Sequence, residues 1–179
     1  MILRLSFTIL AVLLIDIVAA LSKNPISLKN IKTNQKAAVN IDKIIGCWQV
    51  VETGARKPTW QRYSDRLQIG QRNRSFQIFS KAGATFHNLS EYLGSNIFVY
   101  TDGTYETIDK ANGIIAASVT SINIVFFSLL LRFKVNGTGT IRIKYLDNTN
   151  RVFESEEGAL VLQTKVDFPS EYKRFITLQ

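Results

Sequence analysis

The chain is poor in the side chains that most site chemistry needs. Its single cysteine, Cys47, excludes an intrachain disulfide and every cysteine-rich zinc or iron–sulfur site. Its single histidine, His87, excludes metal sites built on two imidazoles. The three prolines, Pro25, Pro58 and Pro169, all fall in connections, consistent with strands whose ladder donors are in use. There is no G-x-S-x-G elbow, no Walker A sequence and no G-x-G-x-x-G fingerprint. No repeat of fixed period is present, which disfavours propellers and solenoids. No catalytic residue, cofactor or metal is therefore expected.

What remains is a globular composition. The 179 residues are 46% hydrophobic and 20% charged, with 22 Lys+Arg against 14 Asp+Glu and a formal net charge of +8. That is one domain's worth of chain, with room for little else. The first twenty residues stand apart. Arg4 precedes an apolar run over 5–20 that ends in Val18-Ala19-Ala20, the pattern of a secretory-type signal. Asp16 and the shortness of the run argue against a membrane anchor, which needs ~20 apolar residues. Residues 21–43 carry Lys23, Lys29, Lys32 and Lys36, with no acid over 21–41, and read as a disordered, transit-like segment. Together the two suggest a bipartite address of the kind used for plastids inside an extra membrane. The alternative is a secreted protein with a basic N-terminus, in which Asn73, Asn88 and Asn136 would be glycosylation acceptors.

From residue 44 to 179 the texture is short alternating runs broken by turn signals, the pattern of an antiparallel sandwich or barrel. Strands are expected at 48–53, 75–80, 96–100, 104–107, 114–119, 125–135, 141–145, 150–155 and 159–166. Asp102-Gly103 reads as a turn, Asn136-Gly137 as the end of the longest apolar run, and Glu156-Glu157-Gly158 as the last hairpin turn. The one plausible helix is short and falls within 59–68. Alternation puts Ile141, Ile143 and Tyr145 on one face against Arg142 and Lys144. It groups Phe127, Leu129, Leu131 and Phe133 in the same way, and Leu160 and Leu162 against Gln163 and Lys165. With Val50, Phe76 and Ile78, these are the candidate lining of a cavity for one lipophilic guest. Simple filling of the interior by the same side chains is equally compatible with the pattern.

Two anchors resemble a known family. Gly46-Cys47-Trp48 is similar to the G-x-W signature of lipocalin-like barrels. The stretch from Gly137 to Arg151, with Tyr145-Leu146-Asp147 and three residues before Arg151, resembles the closing motif of the plastid lipid-associated proteins, the plastid fibrillins. Gln68-Ile69-Gly70-Gln71 is similar to a further segment of that family. The resemblance implies a lipocalin-like antiparallel β-barrel over 44–179, with Trp48 plugging its base and Arg151 stacked on the indole. It implies that Asp147 fixes the turn before Arg151. Where the family often carries a second basic residue, the chain reads Val152-Phe153-Glu154. The function implied is non-enzymatic binding of isoprenoids, quinones, carotenoids or polar lipids, or structural association with plastid lipid bodies or thylakoids, or both.

Arg56, Lys57, Arg62, Arg66, Arg72 and Arg74, interleaved with Trp60 and Tyr63, form a basic cluster. It suits a single nucleic-acid strand or anionic lipid head groups. The leader removes the protein from the cytosol, so lipid is the expected partner and nucleic acid is not. A lipocalin-like chromophore lyase or isomerase is the enzyme alternative, with His87 or a buried acid as its reactive group.

Overall fold

The computed structural model describes residues 40–54, 73–156 and 158–176. The expected leader, the helix within 59–68, and Arg56, Lys57, Arg62, Arg66 and Arg72 lie outside the described residues. Eight strands close into one barrel in sequence order, each antiparallel to its neighbours. They are β1 (Gly46–Thr53), β2 (Ser75–Phe79), β3 (Thr85–Glu91), β4 (Ile97–Asp109), β5 (Ile114–Phe126), β6 (Leu129–Leu146), β7 (Asn150–Ser155) and β8 (Leu160–Val166). This is the all-β antiparallel barrel that the resemblance implied, and one of the two architectures that the alternation left open. Closure between β1 and β8 leaves no edge along the paired region. The helical content among the described residues is three short 3-10 turns.

Two expected strand ends are strand interiors. Asp102-Gly103 is not a turn, because β4 runs straight through it. Glycine is needed there for another reason: a Cβ would sit 2.4 Å from the Phe86 ring and 2.3 Å from the Ser118 carbonyl oxygen. Asn136-Gly137 likewise lies inside β6. The run 125–135 is divided instead by a two-residue hairpin at Phe127-Ser128, both with positive φ. The ladder also takes in β3, which did not stand out as a separate strand.

Each wall has two buried faces over part of its length. Trp48 pairs with Gln77 across β1 and β2, and Cys47 with Ile78, so Trp48 and Gln77 share one face and Cys47 and Ile78 the other. The Trp48 face gathers Phe79, Phe86, Ile115 and Ile143 from around the barrel and is the interior. The Cys47 face is the outside of β1–β5, where Phe76, Leu89, Phe98, Tyr100 and Val125 are covered by Tyr172 and Ile176 of the C-terminal segment.

Candidate functional site

One end of the barrel is sealed, and the sealing starts ahead of β1. Asn40 caps a 3-10 turn, Ile41–Ile44, by accepting the Asp42 amide at 3.2 Å. Ile41 and Ile44 are buried against Trp48. The folded unit therefore includes Ile41–Lys43, which the expected boundary had left in the preceding segment. Trp48 is fully buried, and its Nε1 donates to the Ile44 carbonyl at 2.6 Å, so the indole pays no unpaired-donor cost. Gly46 has φ +124°, and a Cβ there would lie 2.6 Å from Cε of Lys165. The first residue of G-x-W is glycine because L side chains rarely adopt that φ, and its bareness lets Lys165 cross it to place its ammonium 5.4 Å from the Trp48 ring centre.

Arg151 completes this floor. Its guanidinium carbon lies 4.8 Å from the Trp48 ring centre, 4.9 Å from that of Phe79 and 5.9 Å from that of Phe153. Cation–π contacts of this kind contribute about 0.5–2 kcal/mol. Nε donates to Gln163 Oε1 and Nη2 to Gln77 Oε1, while Nη1 is buried without an acceptor among the described residues. Full burial pushes the Arg151 pKa well below its ordinary value. No carboxylate forms an ion pair with it among the described residues. Cys47 lies behind this floor on the outer face, and burial raises its thiol to about 12, against the pull of the Arg151 charge. It is a structural thiol, not a nucleophile.

Asp147 fixes the β6–β7 turn. Oδ1 accepts the amides of Thr149 at 2.7 Å and Asn150 at 2.6 Å, and Oδ2 accepts the Tyr145 hydroxyl at 2.5 Å. Partial burial works against its charge, but these hydrogen bonds outweigh it and hold the carboxyl below its ordinary value.

The candidate lining divides. Val50, Ile141 and Ile143 face the interior, with Val50 opposite Gln163 and Ile143 opposite Phe153. Phe76 and Ile78 do not line it: they face outward under Tyr172. Tyr145, Leu160 and Leu162 are also outside, packed with Val51 and Val152. A register shift between Ile143 and Tyr145 turns the tyrosine away from its expected face. On β8 the expected faces are reversed. Gln163 points in because Arg151 needs its oxygen, and Leu162 points out.

The interior row above the floor is accordingly more polar than alternation suggested. It runs through Gln77, Asn88 and Thr101 before reaching Ile122 and Phe133. Ser75 and Ser90 share a hydroxyl bond at 2.9 Å on the same face. Gln77 and Gln163 were missed because only the strand register, which sequence spacing does not supply, sets them beside Arg151.

Leu129, Leu131 and Phe133 lie on the interior side of β6 but beyond its pairing with β7, which starts at Ile141. They are exposed, and Phe127 sits in the hairpin turn itself. The barrel's second end thus has a tall wall of β4–β6 facing a short one.

Arg74 is not a free surface cation. It bonds Glu91 and Glu171, each at 2.7 Å, and lies 5.4 Å from the Phe76 ring centre, so it clamps the C-terminal segment. The Tyr172 hydroxyl donates to the same Glu91. His87 Nδ1 meets Asp102 Oδ1 at 2.8 Å on the outer face, and Ser121 donates to Asp102 Oδ2 at 2.6 Å. The acid stands between the imidazole and the hydroxyl, which is not the order of a nucleophile triad. Among the described residues no group of three His, Cys, Asp or Glu could hold a metal ion. Of the three asparagines read as glycosylation acceptors, Asn73 is buried, Asn88 faces inward and Asn136 is exposed.

Comparison with family models, curated proteins and solved structures gives no match to this chain.

Proposed function

We propose that the protein is a non-enzymatic carrier or anchor for lipophilic small molecules, of the isoprenoid, quinone, carotenoid or polar-lipid class. Its setting in this reading is the lipid bodies or thylakoids of a plastid, as the leader and the resemblance to plastid lipid-associated proteins suggest. The observation that supports it is the asymmetry of the barrel. One end is stoppered by Trp48, Arg151, Ile41 and Ile44. The other carries inward-side apolar residues, Leu129, Leu131 and Phe133, beyond the short wall. A guest would enter from that second end with its hydrocarbon against Val99, Ile122 and Ile124. Its oxygen-bearing end would meet the polar row leading to Gln77 and Arg151, whose Nη1 is a donor in need of an acceptor. A chromophore lyase or isomerase would need its reactive group on the same interior face, and His87 is on the opposite one.

The test is organic extraction of natively purified protein followed by mass spectrometry. A stoichiometric isoprenoid, quinone, carotenoid or polar lipid supports the reading. A protein that yields none, and takes none up from total thylakoid lipid, contradicts it.

A further inference from the structure

The β5–β6 hairpin ends in a cluster of apolar side chains that nothing among the described residues covers. Phe126, Phe127, Leu129 and Leu131 are 50%, 58%, 60% and 45% exposed. A strand covered on one side needs one apolar face. This tip is apolar on both: Phe126, Leu129 and Leu131 lie on the interior side, and Leu130 lies on the other. Phe127 and Ser128 form the two-residue turn, with φ of 45° and 79°. Asn and Gly adopt that geometry readily and phenylalanine does not, so the tip keeps an aromatic ring at a local cost.

Along the hairpin itself the charge has one sign, and the nearest acid on its outer face, Asp102 of β4, is bonded to Ser121 and Asn123, opposite Lys134 and Arg132. From Lys110 to Leu146 the sequence holds no acidic residue, while Arg132 and Lys134 follow the tip directly. The C-terminal segment brings Arg174 to the same region, its Nη2 3.4 Å from the Ser128 hydroxyl. Apolar rings at an apex with cations behind them match a bilayer or monolayer edge, where hydrocarbon lies beneath anionic head groups.

We propose that the β5–β6 hairpin tip inserts into an anionic lipid surface, with Phe126, Phe127 and Leu130 in the hydrocarbon and Arg132, Lys134 and Arg174 on the head groups. This goes beyond the carrier reading and does not require a guest in the barrel. It places the open end of the barrel against the lipid from which a guest would be drawn.

The experiment uses the full chain with phosphatidylcholine vesicles, with and without phosphatidylglycerol, in co-sedimentation. Binding is expected to need phosphatidylglycerol and to weaken with salt. Lys134→Gln is expected to weaken it about fivefold. The double variant F127N/S128G installs the preferred turn while removing the ring, so it should fold at least as stably and bind vesicles about tenfold or more weakly. Undiminished vesicle binding by that variant overturns the proposal. So does a wild-type dimer in lipid-free solution that the variant abolishes, since a second copy would then be the occupant. An environment-sensitive dye on Ser128→Cys should shift only when vesicles are added. A dye already shielded in the lipid-free monomer would mean that this chain covers its own tip, and would also overturn it. Extraction of bound lipid separates the two ideas: a guest retained by F127N/S128G with vesicle binding lost supports both, and vesicle binding by the wild-type chain without an extractable guest removes only the carrier reading.

Discussion

The two ends of the barrel are built on opposite terms. At the Trp48 end every strand contributes a side chain, from Trp48 on β1 and Phe79 on β2 round to Phe153 on β7 and Lys165 on β8. At the other end β5 and β6 run on beyond β7, carrying large apolar side chains into solvent. The first arrangement removes apolar area from water, the main source of folding free energy. The second forgoes that gain, and a run that does so in a protein of marginal stability points to work done outside the fold. The sealed end specifies the structure, and the open end is where the proposed lipid partner would fit.

Substitutions should separate the two ends by size of effect. Trp48→Ala empties the centre of the floor and should cost about 3–5 kcal/mol in chemical denaturation. Arg151→Lys keeps a buried charge but loses the planar stack and the forked donors, and about 3 kcal/mol is expected. Arg151→Met removes the charge and leaves Gln77 and Gln163 without their donor, so a smaller loss of about 1–2 kcal/mol should follow. A reversal of that order would mean the guanidinium is not the element that organises the floor. Gly103→Ala forces a methyl against Phe86 and should cost about 1–3 kcal/mol. Leu129→Ser at the open end should change stability by less than about 0.5 kcal/mol. A large loss there would show that the hairpin tip is structural after all.

Acid should act on the outer wall. Partial burial opposes the Asp102 charge, but bonds from His87, Ser121 and Asn123 more than compensate and hold its carboxyl below the ordinary range. A depressed folded-state pKa stabilises above the unfolded value of about 3.9, and that stabilisation is lost as pH falls through the folded value. Melting temperature should therefore drop below about pH 4, and Asp102→Asn should make the drop shallower.

How much of this could be read from the sequence follows the same division. Trp48, Arg151 and Asp147 were legible because each serves a local geometry that a short motif records: a bare Gly46 under Lys165, and a turn closed by one carboxylate. The strand faces were harder. Phe76 and Ile78 look like core residues and are, but of an outer core made by the C-terminal segment, and no alternation distinguishes two apolar coverings. Gln163 reads as solvent-facing until Arg151 is placed beside it. The hairpin at Phe127-Ser128 carries neither the asparagine nor the glycine that a positive-φ turn favours. Where the chain departs from ordinary turn chemistry, the departure falls in the segment assigned here to a lipid surface.

The account's central claim is that the interior above the Trp48–Arg151 floor receives one lipophilic molecule. Equilibrium titration of the full chain with a fluorescent polyene lipid tests it most directly. Saturable uptake of one molecule per chain, with energy transfer from tryptophan that survives Trp60→Phe, is the expected result. A folded protein that shows no saturable uptake would contradict it.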